Sequence, residues 1–481
     1  MAGVRWTVLG WAAFCLACGG GARGPQDPGW IDIPGDSAEV KETIAENPPA
    51  PIEVTEDFRA VYAYEGRPGL AVAGRTEFRI ADPRDTDPTN DQVLFSASPD
   101  STPSCEGGCW LDRSRRWLAA ATTGQEAAVQ VYELSQDGSA TAVGEPIPDV
   151  VHAQWTDGLL YLSQGTPCPA GVLPTTRCFD ILKFDPQHPA SLKQMTRMPP
   201  VEGSSPTAVY QYNGYFSIGE DLDRTLLFFV PTHVSLSVWV YRSGVVRQVL
   251  GPLCAAKDPY GNCIPPSGGS AMYREDTPAA LSADGRTLVF ALVEENRELR
   301  FYRLDLGAGS AEPAFSTVLT VPDNYLLNAC YNRAPWQFTE VRGPIRFTRD
   351  QTEVLFIGAA TCDENTVKPW TNILRLSVAK IGAGKPLQEG DYRKVTDNPQ
   401  GYTAQAIAIS GYDLSPSGEY VVFTGTPTLD EDGNPLPTVP SGRHERDSEV
   451  HVARLDGQGF PRQLTNNVEW RAQSVFAIPA P

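Results

Sequence analysis

One ten-residue pattern recurs along this chain and constrains its fold more than any other feature. The clearest copy is LSADGRTLVF at residues 281–290, and LSPSGEYVVF at residues 414–423 repeats it. Each copy has a short apolar segment, a polar turn and a second, nearly continuous apolar segment. Asp-Gly and Ser-Gly turns favour β-hairpins because Gly and Asp tolerate positive φ angles. The pattern therefore predicts a series of hairpins.

Four weaker copies lie at residues 111–120, 155–163, 219–228 and 347–356. Each of the six copies is followed by an alternating segment, at residues 129–134, 180–185, 238–243, 299–306, 372–377 and 449–456. Four units then continue with a short fourth segment: KQMT (193–196), RQVL (247–250), RKVT (393–396) and RQLT (462–465). Similar units spaced 44 to 67 residues apart indicate a repeat architecture.

The units predict an all-β fold, a β-propeller of four-stranded antiparallel blades. Their second segments are apolar throughout, as in strands buried on both faces. Residues 472–479 look like a first strand, whereas residues 74–83 and 91–98 look like a third and a fourth. We therefore expect N- and C-terminal strands to share a seventh blade and close the ring. A six-bladed ring is the alternative.

The motif LSADGRTLVF (281–290), followed by FYRLDL (301–306), resembles the repeat of TolB-type propellers, whose blades carry an SPDG core and end in LT; the other good copy is LSPSGEYVVF at 414–423. The resemblance covers about residues 105–465 and concerns the blades only. It implies the fold. It implies no single function, because one fold hosts many functions.

The N-terminus has the pattern of a signal peptide, with Arg5 before a 12-residue apolar run at residues 6–17. That run is shorter than the roughly 20 residues needed to span a bilayer. The CLACGGG stretch resembles the lipobox of bacterial lipoproteins, with Cys18 as the lipidated residue. Cys15 departs from the lipobox, where Leu is usual, so cleavage by ordinary signal peptidase is the alternative.

The predicted organisation is a signal peptide at residues 1–18, a flexible tether rich in Gly and Pro at residues 19–55, and the propeller at residues 56–481. We expect a bacterial cell-envelope protein, periplasmic or surface-exposed, that meets a membrane only through its lipid. A monomer is expected.

Eight cysteines remain in the predicted mature chain once Cys18 is assigned to lipid. An even number in an exported protein predicts disulfides. Closeness in sequence favours the pairs Cys105–Cys109, Cys168–Cys178, Cys254–Cys263 and Cys330–Cys362. All eight are expected in the b–c or inter-blade loops, which lie on one face of a propeller.

Long, braced loops on one face are where binding residues are usually carried. Aromatic and Arg side chains dominate binding hot spots. The speculative binding residues in these loops are Tyr260, Tyr331, Arg333, Trp336 and Trp370. The competing interpretation is that these aromatic residues cover blade edges.

Charge and motifs exclude several function classes. A net charge of −19 disfavours nucleic acid and anionic lipid as partners. The chain has no G-x-S-x-G, P-loop or H-E-x-x-H motif, so no catalytic residues are assigned. Asp430, Asp432 and Asn434 alternate as Ca²⁺ ligands would, but the template's Gly and Glu are missing, and no cofactor is expected.

The sequence thus favours an envelope-anchored scaffold that binds a protein or peptide through its long-loop face. The alternative is a propeller hydrolase or lyase acting on polysaccharide or peptide, with two carboxylates facing each other across the central funnel, roughly 5–10 Å apart.

Overall fold

A computed structural model describes residues 51–66, 71–73, 75–97, 104–112, 114, 116–122, 128–135, 140–166, 178–195, 216–219, 225–231, 235–254, 256–260, 263–264, 278–293, 299–306, 315–318, 337–361, 370–382, 386–387, 391–396, 409–426, 448–467 and 469–480. The chain divides into two units, Met1–Pro48 and Pro49–Pro481. All the described strands lie in the second unit.

The described chain forms seven four-stranded antiparallel sheets, each a propeller blade. The closing blade contains β1 (Phe58–Gly66), β2 (Thr76–Ala81), β3 (Gln92–Ala97) and β30 (Trp470–Pro479). Blade 1 contains β4 (Ser104–Leu111), β5 (Trp117–Thr122), β6 (Ala128–Leu134) and β7 (Ala140–Pro148). Blade 2 contains β8 (Val150–Thr156), β9 (Leu159–Thr166), β10 (Cys178–Phe184) and β11 (Lys193–Gln194).

Blade 3 contains β12 (Phe216–Ile218), β13 (Leu226–Pro231), β14 (Ser235–Arg242) and β15 (Val245–Cys254). A small hairpin follows, β16 (Ala256–Lys257) with β17 (Cys263–Ile264). Blade 4 contains β18 (Ala279–Leu281), β19 (Thr287–Val293), β20 (Leu299–Asp305) and β21 (Phe315–Val318). Blade 5 contains β22 (Gln337–Phe347), β23 (Glu353–Thr361), β24 (Trp370–Ser377) and β25 (Tyr392–Lys394), with the 3₁₀ turn Val378–Lys380 after β24. Blade 6 contains β26 (Ile409–Leu414), β27 (Tyr420–Gly425), β28 (Glu449–Arg454) and β29 (Arg462–Gln463).

The two ends of the propeller meet in the closing blade. Its strand order is β3-β2-β1-β30, so the C-terminal strand is innermost and the N-terminal strands complete the sheet. Phe58 lies opposite Pro479, and Gly66 lies opposite Trp470. The seven-bladed, all-β prediction is confirmed, including the shared blade.

Strands follow chain order from the axis outwards in blades 1–6, which gives the propeller two different faces. The tight turns between first and second strands, and between third and fourth, lie on one face, which we call the turn face. Connections between second and third strands, and between blades, lie on the other, which we call the loop face.

The core lies between successive blades, where apolar side chains of both sheets meet. Phe301 of blade 4 and Phe356 of blade 5 are fully buried, with ring centroids 4.7 Å apart. Each such side chain contributes about 1.5–3 kcal/mol by leaving water. Second strands pack against other blades on both sides, as in β27, whose six residues are all buried, and this explains why they are largely apolar.

The repeated turn motif is explained by hydrogen bonds within the turn. In blade 4, Ser282 Oγ donates to Asp284 Oδ1 over 2.6 Å and accepts the backbone N–H of Thr287 over 2.8 Å. In blade 5, Thr348 Oγ1 donates to Asp350 Oδ1 over 2.6 Å. These side chains satisfy backbone and carboxylate groups that the tight turn leaves without a strand partner.

The threonine at the end of two of the units also makes hydrogen bonds within its own blade. In blade 5, Thr396 Oγ1 accepts the N–H of Ile373 over 3.0 Å and donates to Asn372 Oδ1 over 2.6 Å. In blade 6, Thr465 Oγ1 accepts the N–H of Val450 over 2.9 Å. Both threonines are fully buried, at the loop-face ends of their sheets.

Residues 51–57, which we call the strap, cross the turn face of blade 6 before β1 begins. The N–H of Ile52 donates to Phe460 O over 3.1 Å, and Ile52 and Val54 are buried. A Cβ at Gly459 would lie 2.6 Å from Ile52 Cγ2, so this close approach requires glycine.

Two further contacts hold the strap. Tyr420 Oη lies 3.1 Å from both N and Oγ1 of Thr55, and Glu56 accepts the N–H of Ser417 over 2.8 Å. The sequence assigned residues 51–55 to the flexible tether. These five residues pack against blade 6 instead, because the apolar side chains of Ile52 and Val54 are buried there.

Candidate functional site

The loop face of blade 3 carries an exposed aromatic side chain on a short hairpin. The strand β15 ends on the loop face, and the β16–β17 hairpin follows it directly. At the tip of this hairpin Tyr260 is 90% exposed, and its N–H donates to Asp258 Oδ1 over 2.9 Å. A hydrogen-bonded turn thus presents a large aromatic ring almost entirely to solvent.

A second predicted binding residue also maps to the loop face. Trp370 is the first residue of β24, and third strands begin at that face. Tyr331, Arg333 and Trp336 lie outside the described residues. The structure thus places Tyr260 and Trp370 on the same face, in blades 3 and 5 respectively.

The predicted positions of four cysteines need correction. Cys105 and Cys109 lie in β4, the innermost strand of blade 1, and not in an inter-blade loop. Pairing jumps from Ser104 to Cys109 there, so residues 105–108 bulge out of the register. Cys254 ends β15 and Cys178 begins β10, so both lie within strands, at the loop face.

Cys109 is buried and disulfide-bonded. Its pairing with Cys105 stays a prediction, as do the other three pairs. Cys263 lies in β17. Cys18, Cys168, Cys330 and Cys362 lie outside the described residues, as do Asp430, Asp432 and Asn434. Within the described ranges no cluster of three or more His, Cys, Asp or Glu residues could hold a metal ion.

A buried polar network, which no sequence motif predicted, joins blade 6 to the closing blade at the loop-face end. Glu449 is 2% exposed, and its carboxylate accepts hydrogen bonds from Tyr64 Oη (2.6 Å), Thr465 Oγ1 (2.5 Å) and the N–H of Asn467 (2.8 Å). Burial raises the pKa of Tyr64, so its phenol stays protonated and able to donate.

Arg79 extends this network towards the outer strands. Its guanidinium lies over the rings of Tyr64 and Trp470, 5.3 and 5.7 Å from their centroids. It also donates to both carboxylate oxygens of Asp91, over 3.1 Å each, and to Glu77 Oε2 over 2.7 Å. Arg79 is paired with two carboxylates, and Glu449 is held by uncharged donors, so we interpret the group as stabilising the closure of the ring.

Two histidines are held neutral, His451 fully buried and His152 partly buried. Burial lowers the pKa of His152 and of His451 to about 4. His152 lies between the rings of Trp110 and Phe216, so it joins the innermost strands of blades 1, 2 and 3. His451 stacks on Phe423, with centroids 5.2 Å apart, consistent with an ordinary blade residue.

The hypothesis of a propeller enzyme requires two carboxylates near the axis. Among the innermost strands, Asp413 of β26 has the single carboxylate side chain that the structure describes. Its Oδ2 accepts the N–H of Ala477 over 3.0 Å, and its Oδ1 lies 3.5 Å from Arg346 Nε. It therefore joins the innermost strands of three adjacent blades.

Comparison with known proteins gives propellers of low identity. No family model matches the chain, and no curated protein matches it. TolB from Acinetobacter baumannii has 12% identity and a TM-score of 0.39 over 87% of this chain. The propeller domain of the Trilobed protease from Pyrococcus furiosus has 10% identity and a TM-score of 0.43, covering 87% of this chain and 97% of that domain.

An acylaminoacyl peptidase from Pyrococcus horikoshii has 11% identity and a TM-score of 0.41 over 84% of this chain. The chain spans 66% of that TolB and 52% of that peptidase. Structural neighbours thus include TolB proteins and peptidase propellers. No activity or partner follows from likeness at this level.

One finding bears on membranes. None of the helical structure within the described ranges is long and apolar enough to cross a bilayer.

Proposed function

We propose that this protein is an envelope-anchored scaffold that binds a protein or peptide through its loop face. The observation that carries the proposal is Tyr260, 90% exposed at the tip of the β16–β17 hairpin. Exposed aromatic rings on rigid supports are typical anchors of binding surfaces, since they bury a large area at low cost in conformational entropy.

The turn face supports the same assignment by contrast. Its motif residues are consumed by bonds within the turns, as at Ser282 and Thr348. Some turns also bond to the next blade, as where the N–H of Ala283 donates to Gln351 Oε1 over 2.8 Å. Side chains engaged in this way are poorly placed to bind a partner, which leaves the loop face as the binding face.

The anchor in this proposal is a lipid on Cys18, the tether is the segment between Cys18 and Pro51, and the braces are the predicted disulfides. A lipid-anchored propeller would meet its partner in the bacterial cell envelope. We propose that the propeller itself acts as a monomer.

Photo-crosslinking tests the binding face. A photoreactive phenylalanine replaces Tyr260 in one variant and Val245 in a matched control. Val245 is 62% exposed in the same blade but lies at the turn face. We expect a discrete crosslinked partner in irradiated cell envelopes from position 260 only. Equal crosslinking from both positions, or none from position 260, would contradict the proposed binding face.

A second measurement uses the identified partner. Tyr260→Ala should weaken its binding at least tenfold, as expected for a hot spot. Val245→Ala should leave the affinity unchanged. The anchor is tested separately by fractionation, where Cys18→Ser should release the protein from membranes. A Cys18→Ser protein that stays in the membrane fraction refutes the lipid anchor without touching the binding face.

A further inference from the structure

Two arginines of blade 5 are brought to the same side of an innermost strand by a bulge. In β22, Arg342 lies opposite Ile357 and Arg346 lies opposite Leu355. Residues four apart in sequence therefore occupy positions only two apart along β23. Side chains two positions apart point to the same side of a sheet, about 7 Å from each other. The side chains of Arg342 and Arg346 therefore leave the strand at neighbouring positions, and both face blade 6.

The bulge is held in place by a buried tyrosine of blade 6. Gly343 adopts a φ of 66°, which favours glycine. Tyr412 Oη lies 2.9 Å from Pro344 O and 2.7 Å from Leu355 O, and both carbonyls are placed to accept its proton. Burial raises the pKa of Tyr412, so the phenol keeps that proton. The backbone bulge that brings the two arginines to neighbouring positions is thus held in place.

The wall formed by the bulge faces solvent. Gly343 and Pro344 are exposed although they belong to the strand nearest the axis. A Cβ at Gly343 would lie 4.0 Å from Ser410 O, which puts the bulge beside the exposed Ser410 of blade 6. The exposed bulge thus lies on the innermost strand of blade 5, next to the innermost strand of blade 6.

The Arg346 side chain has donor capacity to spare. It is 36% exposed, and its Nε lies 3.5 Å from Asp413 Oδ1, beyond good hydrogen-bond geometry. That Nε is buried and makes no hydrogen bond within the described part of the chain. Asp413 is a shared partner, since its other oxygen accepts the N–H of Ala477 over 3.0 Å.

We propose that Arg342 and Arg346 form an oxyanion-binding site on the innermost strand of blade 5, for a carboxylate or phosphate group. A guanidinium presents two parallel N–H donors that match the oxygens of either group. A pair of guanidiniums on neighbouring positions engages one anion from two sides. The site is independent of the loop-face binding proposed above, and it would concentrate an anionic ligand inside a protein whose net charge is −19.

Titration of the mature chain with inorganic phosphate, and separately with succinate, tests the site and distinguishes the two anions. We expect saturable binding of at least one of them by calorimetry. The double substitution Arg342→Gln and Arg346→Gln should weaken that binding at least tenfold. Arg349→Gln, an exposed arginine of the same blade at the turn face, should bind like the wild type. Equal weakening by both variants, or no saturable binding to the wild type, overturns the site.

A second readout avoids any effect of the substitutions on folding. Phenylglyoxal modifies accessible arginines of the wild-type protein, and peptide mass spectrometry locates the adducts. The bound anion should slow modification of Arg342 and Arg346 several-fold while leaving Arg349 unchanged. Identical modification rates at all three positions, with and without the anion, would refute the proposal.

Discussion

The two faces of the propeller are both rich in polar contacts, but they differ in how those contacts meet water. On the turn face, bonds such as Ala283 N–H to Gln351 and Ser417 N–H to Glu56 are only partly buried. At the loop-face ends of the sheets, Glu449 and Thr465 make theirs in a dry interior. Water can replace a lost hydrogen-bond partner on the turn face but not beneath the loop face. Loss of one bond should therefore destabilise the fold more beneath the loop face.

On the turn face, arginine side chains also donate hydrogen bonds to backbone carbonyls of the next blade. Arg303 of blade 4 donates to Val378 O of blade 5 over 3.0 Å, and Arg375 of blade 5 donates to Leu455 O of blade 6 over 3.1 Å. The same relation between neighbouring blades thus recurs. Because these contacts are repeated and partly exposed, we expect the loss of a single one to change the stability of the fold only slightly.

The largest effect should come from the buried carboxylate. Glu449→Ala leaves Tyr64, Thr465 and a backbone N–H without their acceptor, so we expect the free energy of unfolding to fall by about 3 kcal/mol or more. Urea unfolding monitored by fluorescence measures this change. Glu419→Ala, an exposed carboxylate of the same blade, is the control and should cost less than about 0.5 kcal/mol. Similar losses in both variants would remove the distinction between the faces.

Acid should destabilise the buried interior next. The pKa of His451 is about 4 in the folded protein and about 6.5 when exposed, so the unfolded chain binds more protons between these values. Stability should therefore fall as pH drops from 6.5 to 4, by about 3 kcal/mol from this residue. His451→Phe should flatten that part of the stability–pH curve, whereas Val245→Ala, at an exposed position without a titrating group, should leave it unchanged. An unchanged slope in His451→Phe would contradict the assignment.

A smaller effect is expected where the strap crosses the turn face. Glu56→Ala removes the acceptor of the Ser417 N–H and hydroxyl, at a site that water partly reaches. The expected loss is about 1–2 kcal/mol, measured as a lower urea midpoint with an unchanged m-value. The neighbouring exposed Glu53→Ala serves as the control and should be near neutral. A loss as large as that of Glu449→Ala would break the comparison.

The smallest effect belongs to the repeated turn. Ser282→Ala should cost about 1 kcal/mol at pH 7. The hydrogen bond from Ser282 lowers the pKa of Asp284, so this contribution is present above the ordinary carboxyl value and is lost as pH falls through the folded value. Stability curves from pH 7 to 2 measure it. In an Asp284→Asn background the cost of Ser282→Ala should no longer vary in that acidic range.

Much of the fold could be predicted because its signals are local. Third strands expected at residues 299–306 and 449–456 are observed at Leu299–Asp305 and Glu449–Arg454. The strand β1 was not predicted as the second strand of the closing blade. Its neighbour β30 lies at the opposite end of the chain, so no Asp-Gly turn precedes β1. The motif that reveals the other blades is absent where the ring closes.

The buried network and the proximity of Arg342 to Arg346 could not be predicted for a related reason. Tyr64 and Glu449 lie 385 residues apart in sequence, and neither belongs to a recognisable motif. The pairing of Arg342 with Arg346 depends on a register shift that only the strand partner reveals. The loop position of Tyr260 could be predicted from the sequence, because the turn around it is local.

The strap and β1 also determine how the molecule would respond to mechanical force. A pull on the chain ahead of Pro51 first meets the contacts of Ile52 with Phe460 and Gly459 on blade 6. Beyond them it acts along β1, which is hydrogen-bonded on both sides, to β30 and to β2. Because inter-strand bonds lie perpendicular to the strands, such a pull strains many of them at once and does not peel them singly. A propeller held by its N-terminus would therefore withstand tension well.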